Sequence, residues 1–318
     1  MKLGYIFPGQ GAQFERMGKD LYDAHKEVKE VYEKVQRETG IDVAKLSFES
    51  DLATLSQTKN TQIAIFTMSM AIVELLKKEN IEANISAGLS LGEYSGLCYS
   101  NMVSLEDASK IVAQRGKLMN DLVPEGNWAM AAVLGLEDED VEKLCKSIDK
   151  GFAVPANYNC PGQVAVSGDE EGIASIIEKA PEFGAKRIIR LNTSGPFHTE
   201  KLEKASQELR KELDKYEFKI TNKKVIKNLD AQEYTEADDI KDILAKHVMS
   251  PVRFSKSVQN MIEQGVDTFI EIGPGKVLSG FVKKINRDVK IYNIQDEESL
   301  QNCISNLKLK QKIYQKQV

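Results

Sequence analysis

The stretch AGLSLGEYSG, Ala87 to Gly96, places Ser90 between Gly88 and Gly92 in a G-x-S-x-G spacing. The spacing alone is a weak signal, because a glycine–serine turn without chemistry has the same letters. Its surroundings say more. Asn84 to Ala87 reads as a short strand and Gly92 to Cys98 as small, helix-compatible residues, so the order is strand, turn at the serine, helix. A turn that sharp needs glycine two residues either side, where strand and helix cross too closely for side chains. The helix N-terminus, with the backbone N–H of Leu91, would favour a developing oxyanion. Ser90 is therefore a candidate nucleophile, with a structural turn as the alternative.

Working outward, strand and helix patterns alternate on both sides of this turn. Lys2 to Phe7 is a short apolar run stopped by Pro8-Gly9, a buried strand running into a loop. Leu21, Ala24, Val28, Val31 and Val35 recur at helical spacing from Asp20 until Gly40 ends the pattern, and a second long helix covers Thr61 to Lys78. Ser104 and Asp107 form a capping box for a helix that reaches about Leu122 and carries Arg115. After the middle of the chain, helices are predicted at Thr199 to Tyr216 and Asp239 to Val248, with a strand at Val225 to Asn228. Further strands are predicted at Asp267 to Ile272, before Gly273-Pro274-Gly275, and at Val289 to Asn293. This alternation predicts a mostly parallel sheet covered by helices.

The middle has a different rhythm. Trp128 to Leu134, Phe152 to Asn157, Gln163 to Ser167 and Lys186 to Asn192 read as strands, with helices at Asp138 to Ile148 and Glu170 to Lys179. The order β-α-β-β-α-β in about 70 residues is the ferredoxin-like split unit. It predicts a small domain inserted at 126–194 into an α/β body made of 1–125 and 195–318. The lysine-rich tail beyond Leu307 reads as a solvated, fraying helix end.

Composition bounds the function. With 318 residues, 42% of them hydrophobic, the chain can bury a full-size core. Its net charge of -5 leaves no domain-wide basic field for nucleic acid or an anionic membrane. The apolar run in MKLGYIFPGQ is too short for a signal peptide and no stretch reaches membrane-spanning length, which points to the cytoplasm. Cys98, Cys145, Cys160 and Cys303 form no C-x-x-C pair, so neither a disulfide framework nor a zinc site is expected. Cys160 could serve as a thiol nucleophile, but a structural role is the better reading.

A serine hydroxyl needs a base at neutral pH. Of three histidines, His25 lies in the charged helix AHKEVKEVYEK and reads as solvated, and His247 closes a helix before Met249-Ser250-Pro251 as a cap or packing residue. His198, in NTSGPFHTE, follows a tight Gly195-Pro196 loop where the chain re-enters the body, and is the best candidate base. FPGQGAQ, Phe7 to Gln13, puts loose backbone and the Gln10 amide at the carboxyl edge of the sheet, where ligands bind. Phe14 stands where a dinucleotide fingerprint needs its last glycine, and Gly273-Pro274-Gly275-Lys276 fails the phosphate-loop spacing. Arg115, in IVAQRGKLM, is either a snorkelling helix residue or a buried cation that would grip a carboxylate.

Together FPGQGAQ (7–13), GLSLGEYSG (88–96), QRGKLMNDLVPEG (114–126), NYNCPGQVAVSG (157–168), SGPFH (194–198), SPVRFSKSV (250–258) and EIGPGKVLSG (271–280) resemble the malonyl-CoA:acyl-carrier-protein transacylases over nearly the whole chain. The resemblance implies a hydrolase-like α/β body with a ferredoxin-like insertion, and a ping-pong transfer of malonyl from malonyl-CoA to acyl carrier protein for fatty acid synthesis. It implies Ser90 as nucleophile, His198 as base, and Leu91 and Gln10 as oxyanion donors. It also implies Arg115 as the partner of the malonyl carboxylate and Phe197 as the residue that disfavours a branched unit. It implies a monomer, with no metal or organic cofactor. Leu89 stands where the family commonly has histidine, and His247 where it commonly has glutamine, the residue whose backbone carbonyl orients the base. A polyketide-synthase acyltransferase shares all this chemistry. A serine esterase or thioesterase would share Ser90 and His198 alone.

Overall fold

The computed structural model describes residues 1–193 and 195–317, with side chains described as far as residue 309. In chain order the strands are β1 (Leu3–Phe7), β2 (Ile85–Gly88), β3 (Trp128–Leu134), β4 (Ala153–Cys160), β5 (Gln163–Asp169), β6 (Arg187–Leu191), β7 (Lys224–Ile226), β8 (Thr268–Ile272) and β9 (Lys290–Ile294). Five of them form a wholly parallel sheet in the order β7-β2-β1-β8-β9. The central strands read as continuous apolar runs because helices cover both faces and bury every position of β2 and β8. The helix Thr58–Lys78 is apolar on nearly every side, which suits its burial through most of its length.

Register fixes where the site forms. Phe7 pairs with Gly88 across β1 and β2, so the loops that follow these strands leave the sheet side by side at its carboxyl edge. Leu89 N–H donates to Phe7 C=O at 3.0 Å and ties the two loops together. The helix Gly92–Tyr99 then starts against the end of β1: a Cβ on Gly92 would lie 2.1 Å from the Phe7 carbonyl oxygen, and one on Gly88 would lie 1.9 Å from the Gly92 carbonyl carbon. Only glycine fits at both positions.

The remaining four strands form an antiparallel sheet in the order β4-β5-β3-β6, with helices Asp138–Ser147 and Glu170–Lys179 packed on it. This ferredoxin-like unit has its own apolar cluster around Val133, Leu144, Val164, Val166 and Ile173. It is stitched to the body by reciprocal backbone bonds, Tyr158 N–H to Val252 C=O and Val252 N–H to Ala156 C=O, both 2.8 Å.

Several elements depart from the sequence reading. The helix expected from Asp20 to Gly40 breaks at His25, whose φ of −124° and ψ of 128° are extended, into Lys19–Ala24 and Lys26–Thr39. His25 is not a solvated helix residue: it is half-buried, with Nε2 2.6 Å from the Glu297 carboxylate. The short helices Val43–Glu49 and Leu52–Leu55 are opened by Asp42 and Asp51, which accept the N–H of Lys45 and Thr54. They are too brief for periodicity to reveal. The helix Phe254–Glu263 has no side-chain cap to announce it. The final helix spans Glu297–Gln317, and the solvated side chains expected of the tail lie largely outside the described residues.

Gly92→Ala should therefore lower the unfolding free energy by about 3 kcal/mol or more, since neither backbone can retreat. Gly280, in the helix Val277–Ile285, has nothing within 4 Å of its would-be Cβ. Gly280→Ala should instead stabilise by about 0.5–1 kcal/mol, and urea titration of the two variants reads both effects.

Candidate active site

Ser90 sits in the turn between β2 and the helix Gly92–Tyr99, with φ 54°, in the left-handed region that a side chain seldom adopts. Its N–H donates to Asn228 Oδ1 at 2.7 Å, and Asn228 Nδ2 donates to Gly88 C=O at 2.6 Å. One amide side chain thus braces both ends of the turn. These two bonds also fix which end of the amide is oxygen.

His198 lies in the loop leading back from the small domain, also at positive φ (61°), and its Nε2 is 2.8 Å from Ser90 Oγ. Nδ1 lies 3.0 Å from the backbone carbonyls of His247 and of Ser250. Carbonyls only accept, so Nδ1 carries the proton and Nε2 presents its lone pair to the serine hydroxyl. Among the described residues no carboxylate takes the place of a third triad member. Burial, and then the charge of Arg115, hold the imidazole down to about 4 from its ordinary 6.5, so it stands neutral and able to accept a proton.

Arg115 comes from the helix Leu105–Asp121 and is completely buried. Its neighbour Gly116 lies so close to the helix Thr58–Lys78 that a Cβ would be 3.0 Å from Thr58 C=O. That approach brings Arg115 Nη1 to 2.6 Å from Gln62 Oε1, while Nη2 donates to Ser90 Oγ at 3.0 Å. The guanidinium carbon lies 5.1 Å from the centre of the Tyr94 ring, a cation–π contact. Among the described residues no carboxylate lies within ion-pair distance of Arg115, and its Nε has no acceptor. A buried cation without a counter-ion is costly, and it marks a place where an anion binds.

These groups open onto a cavity of about 440 Å³ between the two domains. Gln10, Leu91 and Phe197 line it with Ser90, His198 and Arg115, and Met130, Asn157 and Asn159 face it from the small domain. Among the described residues the backbone N–H groups of Gln10 and Leu91 donate to nothing, so both are free for an oxyanion beside the serine. The Gln10 side chain is anchored by a 3.2 Å bond from Nε2 to Thr58 Oγ1. His247 does not line the cavity; it lies behind His198, its ring 5.1 Å away. Cys160 is buried, which pushes its thiol up to about 11 and leaves it a poor nucleophile.

The sequence reading missed Gln62, Asn228 and Glu93. Glu93 follows Ser90 by one helical turn and is completely buried, a carboxylate in an otherwise small and apolar helix. That contrast was legible. Its partners were not, since Asn228 is 135 residues away.

Comparison with known proteins places the chain in a family. Residues 4–316 match the family described as acyl transferase domain. The malonyl CoA-acyl carrier protein transacylase of Bacillus subtilis (strain 168) is 42% identical over 309 residues, covering 96% of this chain and 98% of that one. The chain belongs to the malonyl-CoA:acyl-carrier-protein transacylase family. Among solved structures, the transacylase of Clostridium perfringens superposes with a TM-score of 0.95 at 42% identity, covering 99% of this chain and all of the other. A malonyl-transacylase solved in complex with its type II polyketide synthase acyl-carrier protein gives 0.92 at 32% identity, covering 96% and 100%. This transacylase-family chain shares both its parallel body and its small antiparallel sheet with such structures.

The low value for His198 sets the acid limb of the reaction. Because the imidazole must be neutral to take the serine proton, kcat/KM for acylation should fall on the acid side with a last midpoint near 4. The same depression contributes stability that is whole above pH 6.5 and is lost as the pH falls toward 4, where the unfolded chain binds a proton the folded one refuses. A pH–rate profile and urea midpoints over that range check both.

Proposed function

We propose that this chain transfers the malonyl group of malonyl-CoA to the phosphopantetheine thiol of acyl carrier protein through a malonyl ester on Ser90, in support of fatty acid synthesis. The observation that carries the reading is Arg115, a buried guanidinium with no carboxylate in ion-pair contact among the described residues, 3.0 Å from the hydroxyl that would bear the acyl group. A malonyl unit on Ser90 has its free carboxylate one methylene beyond the ester carbonyl carbon, within the span of that guanidinium. An acetyl unit offers nothing there.

In the first half-reaction Ser90 Oγ attacks the thioester carbonyl carbon while His198 Nε2 takes the hydroxyl proton. The negative oxygen sits against the N–H groups of Leu91 and Gln10. Collapse of this intermediate breaks the carbon–sulfur bond, and the imidazolium returns its proton to the leaving sulfur of coenzyme A. In the second half-reaction the carrier's thiol gives its proton to His198, its sulfur attacks the ester, and Ser90 leaves with the proton restored. Every proton has a named holder, so the reading needs no resident metal or cofactor. Phe197, 6% exposed on the cavity wall, would crowd a branch at the malonyl carbon.

A second reading, transfer to a polyketide carrier, is favoured by the likeness to the transacylase solved with such a carrier, and differs only in the recipient. An esterase would use Ser90 and His198 but has no use for Arg115. Among the described residues no helix is long and apolar enough to cross a membrane, and the proposal takes the enzyme to act as a cytoplasmic monomer.

Brief incubation with malonyl-CoA and an acid quench should yield a malonyl adduct on Ser90 by intact mass, lost on chase with phosphopantetheinylated carrier faster than by hydrolysis. An adduct lost to water regardless of carrier points to an esterase instead. Ser90→Ala should give no adduct, and His198→Ala should slow its formation by a factor of about 100 or more. Arg115→Ala should cost malonyl transfer about 2–5 kcal/mol in kcat/KM while sparing or improving acetyl transfer; an equal fall in both overturns the specificity account.

A further inference from the structure

Glu93 has no part in the steps above, yet its fully buried carboxylate touches residues that support both halves of the catalytic pair. Oε2 accepts the Asn228 backbone N–H at 3.0 Å, and Asn228 is the residue whose side chain braces the Ser90 turn. The same oxygen lies 3.4 Å from His247 Nδ1, on the residue whose carbonyl receives the His198 Nδ1–H. Oε1 accepts the Tyr234 hydroxyl. The Glu93 N–H donates to Ser90 C=O at 3.1 Å, closing the loop on the nucleophile itself.

Burial raises Glu93 to about 7 and drives His247 well below its ordinary value. His247 is thus a neutral imidazole, and among the described residues its two ring nitrogens make no hydrogen bond. The 3.4 Å approach to Glu93 is then a packing contact between the carboxylate and the ring edge, not an ion pair.

We propose that Glu93 is a positioning residue for acyl transfer: one carboxylate sets, through Asn228, the turn that presents Ser90, and through His247, the carbonyl that fixes the His198 tautomer. Nucleophile and base come from segments 108 residues apart, and Glu93 is the side chain that reaches the supports of both. Of the substrate's own contacts, Arg115 feels the charge of Glu93 and donates to Ser90 Oγ, whereas Gln62 and Phe197 make no bond to Glu93 among the described residues. Loss of Glu93 acts chiefly on the chemical step, through the turn of Ser90 and the support of His198. The proposal rests on the acyl-transfer reading, and its test separates the two.

The test is single-turnover acylation by malonyl-CoA, followed by quenched mass analysis, for the wild type, Glu93→Ala, Glu93→Gln, Asn228→Ala and the core control Leu144→Ala. Glu93→Ala should lower the acylation rate about 100-fold with an apparent KM within about threefold of wild type. Glu93→Gln should recover the rate to within about tenfold, since its oxygen can accept the Asn228 N–H and its amide can donate to the Tyr234 oxygen. Asn228→Ala, which breaks only the serine arm, should fall between these and stands as the test if Glu93→Ala does not fold. Leu144→Ala lies in the separate cluster of the small domain and should lose stability with its rate unchanged. A wild type that takes up no malonyl group overturns the acyl-transfer reading itself. An acylating wild type overturns only this proposal if Glu93→Ala or Asn228→Ala keeps the wild-type rate, if KM rises in step with the loss, or if Glu93→Gln is as slow as Glu93→Ala.

Discussion

The approach of the Gly92 backbone to the Phe7 carbonyl is the contact on which the site depends. It forces the chain after β2 into a turn too tight for side chains at 88 and 92, and it leaves Ser90 at positive φ with its hydroxyl standing at the sheet edge. A conformation of that kind costs of order 1–3 kcal/mol and persists only where surrounding bonds over-determine it. The Asn228 amide on both sides of the turn and the Leu89 bond to Phe7 supply that constraint. The oxyanion donors follow from the same geometry, because the loop that carries Gln10 leaves the adjacent strand at the same height.

The second organising constraint is charge in a dry place. Arg115 is completely buried, held by the Gln62 amide, the serine hydroxyl and the Tyr94 ring, with the buried Glu93 carboxylate felt at a distance and no carboxylate in ion-pair contact among the described residues. Its field reaches His198 and works against an imidazolium there. A free thiol nucleophile would have been an alternative way to build such an enzyme, yet all four cysteines are buried and the two nearest the small-domain sheet, Cys145 and Cys160, are held protonated at about 12 and about 11. On the acyl-transfer reading the chemistry is left to the serine.

How much of this could be read from the chain depends on where the signal lives. The parallel body and the split unit were legible because their strands are short apolar runs punctuated by glycine and proline, and because the helices between them keep a clear period. Ser90 stood out by its flanking glycines and His198 by the scarcity of histidine. Gln62 was hidden, since an amide on a buried helix says nothing of what it will face until Gly116 brings the two helices together. Asn228 was hidden for the same reason: its role exists only once β7 has paired with β2. His25 misled because its helix looks solvated, while the carboxylate it meets, Glu297, lies 272 residues on.

Among the described residues no carboxylate stands on His198 Nδ1, and the charge nearest the ring is a cation. A carboxylate on Nδ1 would stabilise the imidazolium whatever the acyl group, and would do so equally for malonyl and acetyl thioesters. Here Nδ1 meets two neutral carbonyls, and the strongest charge felt by the ring is Arg115. On the acyl-transfer reading, a malonyl carboxylate that pairs with Arg115 cancels that field just when His198 must become charged. The substrate then lowers the cost of its own proton transfer, while an acetyl group leaves the cation unscreened. Selectivity would thus lie in the rate of the chemical step as well as in binding, with the same guanidinium serving both.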